Sequence, residues 1–169
     1  MTDPPPRKTV LPGAALPDLI DRARSARGNA YAPFSGYAVG AAVLADDGRV
    51  YAGCNVENAV YGETVCAERV AVLAAVAAGA RRLVAAAVVT PNGGTPCGAC
   101  RQVLAEFADP SLPIAVAAPG GAARVYTLGE LLPHAWGRRD LDATTPPPRT
   151  PPPRPAPRMR GPDPAARRR

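Results

Sequence analysis

Three cysteines and one glutamate form the pattern in this chain that is best suited to chemistry. Cys66-x-Glu68 is followed, after 27 residues, by Pro96-Cys97-x-x-Cys100. Both segments open predicted helices, where the backbone dipole and the free N–H groups lower the pKa of a thiol and favour the metal-binding thiolate. Three thiolates that converge from two helix starts indicate a zinc site.

This cluster offers zinc only three ligands, because Cys54 lies on a predicted strand and the only histidine, His134, lies far along the chain. The fourth tetrahedral position is then open to water, as in catalytic sites, where zinc activates a bound water at neutral pH. Cys97-x-x-Cys100 alone would favour a zinc knuckle or a redox pair, but the additional cysteine and carboxylate favour catalysis. Glu68 fits either a proton shuttle beside that water or a partner of the helix dipole.

The elements that position these residues follow from the hydrophobic pattern. Apolar residues at helical spacing predict an amphipathic helix over 16–28. Strand-like runs at 37–44 and 49–56 flank Asp47-Gly48 and predict an antiparallel hairpin. The later predictions are a strongly apolar helix buried between layers (65–78), a strand (83–90), a helix that begins at Pro96 with Thr95 as its cap (96–107), a strand (114–118) and a last helix with a capping box of Thr127 and Glu130 (128–134).

This alternation predicts an α/β domain with helices on both faces of a sheet that contains parallel pairs. We assign the domain to residues 15–143, after a flexible lead at 1–14. Residues 144–169 repeat Pro and Arg and have no hydrophobic residue to bury except Met159, so we expect a disordered tail. An SH3-type ligand or an electrostatic anchor are the alternatives for that tail.

The net charge of +6 belongs to the tail alone. Residues 144–169 hold seven Arg and one Asp of the chain's 20 basic and 14 acidic residues, which leaves 13 of each in residues 1–143. A neutral domain gives no sign of phosphate binding. The chain starts without an apolar signal segment, and its longest apolar or glycine run, 70–80, is too short to span a bilayer. We expect a soluble cytoplasmic protein whose core binds neither membrane nor nucleic acid.

Several motifs, in order, resemble the cytidine deaminase family, in particular its compact homotetrameric members with three zinc cysteines. The resemblance spans about residues 31–136. Its motifs are Val39-Gly40-Ala41-Ala42, Gly53-Cys54-Asn55-Val56-Glu57-Asn58-Ala59, Tyr61-Gly62, Cys66-Ala67-Glu68-Arg69 and Pro96-Cys97-Gly98-Ala99-Cys100-Arg101-Gln102. It implies a three-layer α/β/α fold with a mixed central sheet of about five strands, and one Zn2+ per subunit on Cys66, Cys97 and Cys100.

The resemblance also implies a reaction: hydrolytic deamination of cytidine and deoxycytidine to uridine and deoxyuridine, with release of ammonia, in pyrimidine salvage. The activated water attacks C4 of cytosine while Glu68 takes a proton from it, passes that proton to N3 and then helps to protonate the departing amine. Arg69 resembles the family residue that hydrogen-bonds the zinc cysteines, and would otherwise be a surface arginine.

Further positions match the family's substrate contacts. Asn55 and Glu57 look like its ribose-binding pair, although a polar strand end would show the same spacing, and Ala67 matches another substrate-binding position. Ala59 and Tyr61 resemble positions that reach a neighbouring subunit's nucleoside, which implies a homotetramer with shared active sites.

Two aromatic residues depart from the family pattern. Tyr37 and Trp136 stand where members commonly carry the Phe rings that sandwich the pyrimidine. Tyr37 adds a hydroxyl that needs a partner if it is buried. Packing in the core is the other interpretation of both side chains.

Three alternatives are open from the sequence. A sister deaminase acting on a modified cytosine compound such as blasticidin S shares the zinc motifs, although Asn55-x-Glu57 and Ala59-x-Tyr61 favour a plain nucleoside. Deamination of polynucleotide cytosines would need a basic groove and a stacking platform, which a neutral domain lacks. The last is a non-enzymatic, zinc-stabilised protein that acts through its tail, and removal of residues 144–169 distinguishes it.

Overall fold

A five-stranded mixed sheet forms the centre of the molecule. The computed structural model describes residues 15–137 and residue 140, so the predicted flexible lead and disordered tail lie outside the described residues. In sheet order the strands are β2 (Val50–Cys54), β1 (Gly40–Ala45), β3 (Leu83–Val89), β4 (Pro113–Ala117) and β5 (Arg124–Thr127). Only β3 and β4 are parallel neighbours in this sheet. The helices are α1 (Leu16–Arg27), α2 (Ala67–Ala77), α3 (Gly98–Phe107) and α4 (Leu128–Leu131), with a 3₁₀ turn at Tyr61–Glu63.

Helices cover both faces of the sheet. Successive side chains of β1 point to opposite faces, so Ala42 and Leu44 pack with Leu19 of α1. Ala41 and Val43 pack in a second cluster, to which α2, α3 and α4 contribute. The predicted three-layer α/β/α fold and the antiparallel hairpin of β1 and β2 are therefore confirmed.

Two glycines let helices approach the sheet at backbone distance. A Cβ atom on Gly53 would lie 2.7 Å from the Ala71 nitrogen of α2, and one on Gly40 would lie 2.0 Å from the Ala23 oxygen of α1. Any larger residue would force the layers apart. Gly53 thus fixes α2 against the end of β2, which brings the start of the helix close to the residues that follow this strand.

The sequence predicts that the second helix, α2, is buried between layers, but the structure shows that only one of its faces is buried. Ala71, Val72 and Ala75 face the sheet, but Leu73 is 57% exposed. Some of the apolar side chains of α2 therefore lie on an outward face that is exposed in the single chain. No helix among residues 15–137 is long and apolar enough to cross a membrane.

The predicted start of the helix over 96–107 is wrong. α3 begins at Gly98, and Cys97 occupies the N-cap position with an extended backbone. The Thr95 hydroxyl does not cap the helix but accepts a hydrogen bond from Arg101 at 3.0 Å. With this extended backbone at Cys97, its sulfur lies 4.0 Å from that of Cys66 at the start of α2.

The short strand β5 is absent from the predicted elements. It has four residues, of which two are exposed, and this is too short for a clear alternation of apolar and polar side chains. It pairs with the edge of β4 and leads into α4, whose predicted capping box of Thr127 and Glu130 is confirmed. α4 ends at Leu131, three residues earlier than predicted.

Candidate active site

Two helix starts bring three cysteine sulfurs together. Cys66 is the N-cap residue of α2, Cys97 is that of α3, and Cys100 lies in the first turn of α3. The Cys97 Sγ lies 4.0 Å from the Cys66 Sγ and 3.5 Å from the Cys100 Sγ. All four cysteines are free thiols, and neither Cys54 nor His134 belongs to this group.

The spacing of the sulfurs fits one zinc ion. Thiolates that bind Zn2+ at about 2.3 Å in a tetrahedron lie about 3.8 Å from one another. Two of the sulfur separations, 3.5 and 4.0 Å, bracket this value, and all three sulfurs lie within 4.8 Å of one another. Three protein ligands leave one tetrahedral position open, which is the arrangement of a catalytic site.

The pKa values of two of these thiols, Cys66 and Cys100, are shifted in opposite directions. A hydrogen bond from Cys100, aided by the Arg69 guanidinium, lowers the pKa of the Cys66 thiol to about 5. The same hydrogen bond, together with burial, raises the pKa of Cys100 well above its usual range. Cys66 is therefore a thiolate at neutral pH, and a metal ion would replace the proton that Cys100 retains.

Arg69 lies one turn after Cys66 on α2. Its Nη2 donates to the Thr64 carbonyl oxygen at 2.8 Å and lies 3.7 Å from the Cys66 Sγ. A guanidinium in this position offsets the negative charge of the sulfur cluster and holds Thr64, which lies two residues before Cys66.

Glu68 is buried in the first turn of α2, with 6% of its surface exposed. Burial raises the pKa of its carboxyl group. A carboxyl group with a raised pKa exchanges protons more readily near neutral pH, as a general acid or base must. Ala67 precedes it, in the turn where helix N–H groups have no partner within the helix.

A cavity of about 300 Å³ joins the sulfur cluster to the segment that precedes β1. This volume is at the lower end of the range of small-molecule sites. Its lining residues are Ser35, Tyr37, Val39, Asn55, Glu57, Thr64, Cys66, Ala67, Glu68, Thr90, Thr95 and Cys97.

Asn55 holds the backbone on one side of this cavity. Its buried side chain accepts a hydrogen bond from the Val39 nitrogen at 2.8 Å and donates to the Tyr37 carbonyl oxygen at 2.9 Å. The amide group therefore fixes the entry to β1, a contact that the strand-end position does not reveal.

Glu57 holds the preceding part of the same segment. Its carboxylate accepts hydrogen bonds from the Ser35 hydroxyl and from the Phe34 nitrogen, the latter at 2.8 Å. These two hydrogen bonds lower the pKa of Glu57. Glu57 is thus a carboxylate at neutral pH, whereas burial favours the protonated form of Glu68.

A family model for the cytidine and deoxycytidylate deaminase zinc-binding region matches residues 16–116. A cytidine deaminase from Sporosarcina psychrophila is 47% identical over 125 residues, which cover 73% of this chain and 92% of that protein. The chain belongs to the cytidine deaminase family.

Solved structures of the family have the same fold. Cytidine deaminase from Burkholderia pseudomallei is 48% identical with a TM-score of 0.68, over 70% of this chain and 97% of that one. The enzyme from Mycobacterium tuberculosis is 48% identical with a TM-score of 0.64, over 72% and 96% of the two chains. Zinc is therefore the metal for the three-cysteine site.

Three positions that match the family's substrate contacts lie outside the cavity of the single chain. Ala59 and Tyr61 are exposed, Tyr61 by 76%, and the Tyr61 ring packs edge-on against Phe34 with 5.8 Å between centroids. Trp136 is 61% exposed and lines a different cavity, between α3 and α4. Within one chain, only Tyr37 of the two predicted sandwich residues lines the cavity beside the cysteines.

Arg101 joins the cysteine turn to the end of α4. It donates to the Pro96 carbonyl oxygen and to the Leu131 carbonyl oxygen, both at 2.7 Å. Its neighbour Gln102 donates to the Trp136 carbonyl oxygen at 2.5 Å. The Arg-Gln pair of this cytidine deaminase motif thus anchors residues 131–136. The position of the pair after Cys100 is the only signal of this role in the sequence, because Leu131 and Trp136 lie 30 and 34 residues away in the chain.

Replacement of Arg69 by Ala should lower the affinity for zinc about 10- to 100-fold, which is typical when a group that contacts a metal ligand is lost. The reason is that the Cys66 thiolate loses its cationic neighbour. A competition titration with a chromogenic chelator measures the affinity. Arg82→Ala is the matched control, because the Arg82 side chain forms an exposed ion pair with Asp109, 27 residues later in the chain. Equal affinities of the two variants would show that Arg69 has no influence on metal binding.

Proposed function

We propose that this chain catalyses the zinc-dependent hydrolysis of cytidine and deoxycytidine to uridine and deoxyuridine, with release of ammonia. The observation that carries the proposal is a buried carboxyl group, Glu68, in the same cavity as two of the three zinc cysteines. Membership of the cytidine deaminase family supports the same reaction. We place this activity in pyrimidine salvage in the cytoplasm.

Bound zinc supplies the Lewis acidity that activates water for attack on C4 of the pyrimidine. Glu68 accepts a proton from the attacking water and passes it to N3. The C4–N bond then breaks as Glu68 transfers the second water proton to the leaving amine. The water oxygen stays on C4, so cytidine and water give uridine and ammonia. Burial raises the pKa of Glu68, which suits a group that must both accept and donate protons.

The remaining cavity residues bind the nucleoside in this proposal. Glu57 and Asn55 bind the ribose, since a carboxylate accepts and an amide donates hydrogen bonds to hydroxyl groups. The backbone of Ala67 contacts the base next to Glu68, and the Tyr37 ring covers one face of the pyrimidine. The neutral charge of residues 1–143 favours a nucleoside over a phosphorylated or polymeric substrate.

A homotetramer with shared active sites completes the proposal. Tyr61 and Leu73, which are 76% and 57% exposed in the single chain, are consistent with it, because neighbouring subunits would cover them. Ala59 and Tyr61 would then contact the nucleoside of a neighbouring subunit, and Trp136 would supply the second ring of the pyrimidine sandwich. Light scattering on the purified protein should give the mass of four chains, whereas the mass of one chain would contradict shared sites.

Ultraviolet-monitored conversion of cytidine to uridine, with and without zinc, tests the reaction. We expect turnover that is lost when zinc is stripped and regained when zinc is returned. A zinc-loaded protein that does not convert cytidine or deoxycytidine would overturn the proposed substrate and favour a modified cytosine compound.

We infer that residues 144–169 are accessory to a catalytic domain at residues 15–143. A chain that ends at residue 143 should keep the kcat and KM of the full chain, because every proposed site residue precedes the cut. Steady-state kinetics of the two proteins at matched zinc content make the comparison. A large loss of turnover on truncation would contradict the domain boundary and favour a function that depends on the tail.

A further inference from the structure

A series of hydrogen bonds crosses one wall of the cavity and begins at Glu57. The Ser35 hydroxyl donates to the Glu57 carboxylate and accepts a hydrogen bond from the Tyr37 nitrogen at 3.0 Å. The Tyr37 hydroxyl then donates to the Asn92 Oδ1 at 2.6 Å. The proposed ribose-binding carboxylate is thus connected, through Tyr37, to the loop between β3 and α3.

That loop ends at the zinc ligand Cys97. Within it, the Thr90 Oγ1 accepts a hydrogen bond from the Gly94 nitrogen at 2.6 Å and lies 3.4 Å from the Asn92 Oδ1. A Cβ atom on Gly94 would lie only 3.1 Å from the Tyr37 hydroxyl oxygen. The loop therefore passes close to the hydroxyl, and a side chain at Gly94 would require the hydroxyl to shift by a few tenths of an ångström.

Tyr37 is held at three points. Its nitrogen is bound to Ser35, its carbonyl oxygen to Asn55 and its hydroxyl to Asn92. A phenylalanine would keep the two backbone contacts but would lose the one that restrains the ring. Binding a flat ligand restricts the motion of the ring that covers it, and this costs conformational entropy. A ring that is already restrained loses less entropy, so the ligand binds more tightly.

We propose that Tyr37 is a positioning residue, whose hydroxyl acts through Asn92 to fix its ring across the cavity before a nucleoside binds. This inference rests on the proposed function, in that a pyrimidine nucleoside fills the cavity. It gives the Tyr37 hydroxyl a role at a position where family members commonly carry phenylalanine. The hydroxyl donates its hydrogen bond to Asn92, so that the face of the ring, and not the hydroxyl, contacts the nucleoside.

The test is a double-mutant cycle of Tyr37→Phe and Asn92→Ala. Each variant should raise the KM for cytidine and the dissociation constant for uridine about three- to tenfold, as expected for one lost hydrogen bond. The kcat and the zinc content should stay close to those of the wild type. The double variant should be no weaker than either single variant, because both remove the same contact. Steady-state kinetics and calorimetry of uridine binding supply the two constants.

Tyr51→Phe is the matched control, since it removes a buried tyrosine hydroxyl that has no partner among the described residues. Its nucleoside affinity should equal that of the wild type. Weaker binding by Tyr37→Phe but not by Asn92→Ala would overturn the proposal and place the hydroxyl on the nucleoside itself. Additive effects of the two changes would also overturn it. Wild-type protein that binds uridine without converting cytidine would contradict the proposed function alone, because the binding cycle still tests Tyr37.

Discussion

Replacement of Glu68 by Gln should reduce kcat about 10²- to 10⁴-fold, the usual contribution of a general acid–base group. Glutamine keeps the shape of the side chain but cannot take a proton from water or deliver one to N3 and the leaving amine. Zinc should stay bound, because its ligands are the three cysteines. The kcat for cytidine and the zinc content by atomic absorption are the quantities to measure.

Glu106→Gln provides the comparison for this charge change, as Glu106 lies on the exposed side of α3. It should retain wild-type turnover. The buried position of Glu68 suggests that Glu68→Gln will not unfold the chain, since a neutral amide costs less to bury than a carboxylate. Substantial turnover by zinc-loaded Glu68→Gln protein would assign the proton transfers to another group.

The core elements could be predicted because their sequence patterns are long and bounded. Asp47-Gly48 marks the hairpin, and Gly79 with its positive φ of 99° follows the end of α2. β5 lacks such a pattern, since it is an edge strand of four residues held by its pairing with β4. The sequence does not reveal the outward face of α2, because hydrophobicity alone does not distinguish the interior of a chain from a surface that a second chain could cover.

The cysteine cluster could be predicted because its ligands lie at helix starts within short motifs. The hydrogen bonds that shape the cavity could not be. Glu57 reaches back to Ser35, and Tyr37 reaches forward to Asn92, across 22 and 55 residues of chain. Such pairs depend on how the segment before β1 lies against two loops. The same limit applies to Trp136, because its distance from the cysteine cavity follows from the short α4 and the anchor on Gln102.

Replacement of Cys100 by Ser should remove both the metal and the activity. Cys100 is fully buried, and a serine hydroxyl stays protonated where a thiolate would bind zinc. Two ligands would then remain, fewer than the three or four that hold zinc in proteins. We expect about one zinc ion per chain in the wild type, far less in the variant, and turnover at the level of the uncatalysed reaction. Zinc content and cytidine turnover should be measured on the same samples.

Cys54→Ser is the matched control, because Cys54 lies on β2 and its thiol donates to the Asn29 carbonyl oxygen at 3.3 Å. A serine hydroxyl can make the same hydrogen bond, so this variant should keep its zinc and its turnover. Adding zinc to stripped protein should restore Cys54→Ser but not Cys100→Ser, which separates loss of a ligand from loss of metal during purification. Full zinc content in folded Cys100→Ser protein would show that the ion is held by a different set of ligands.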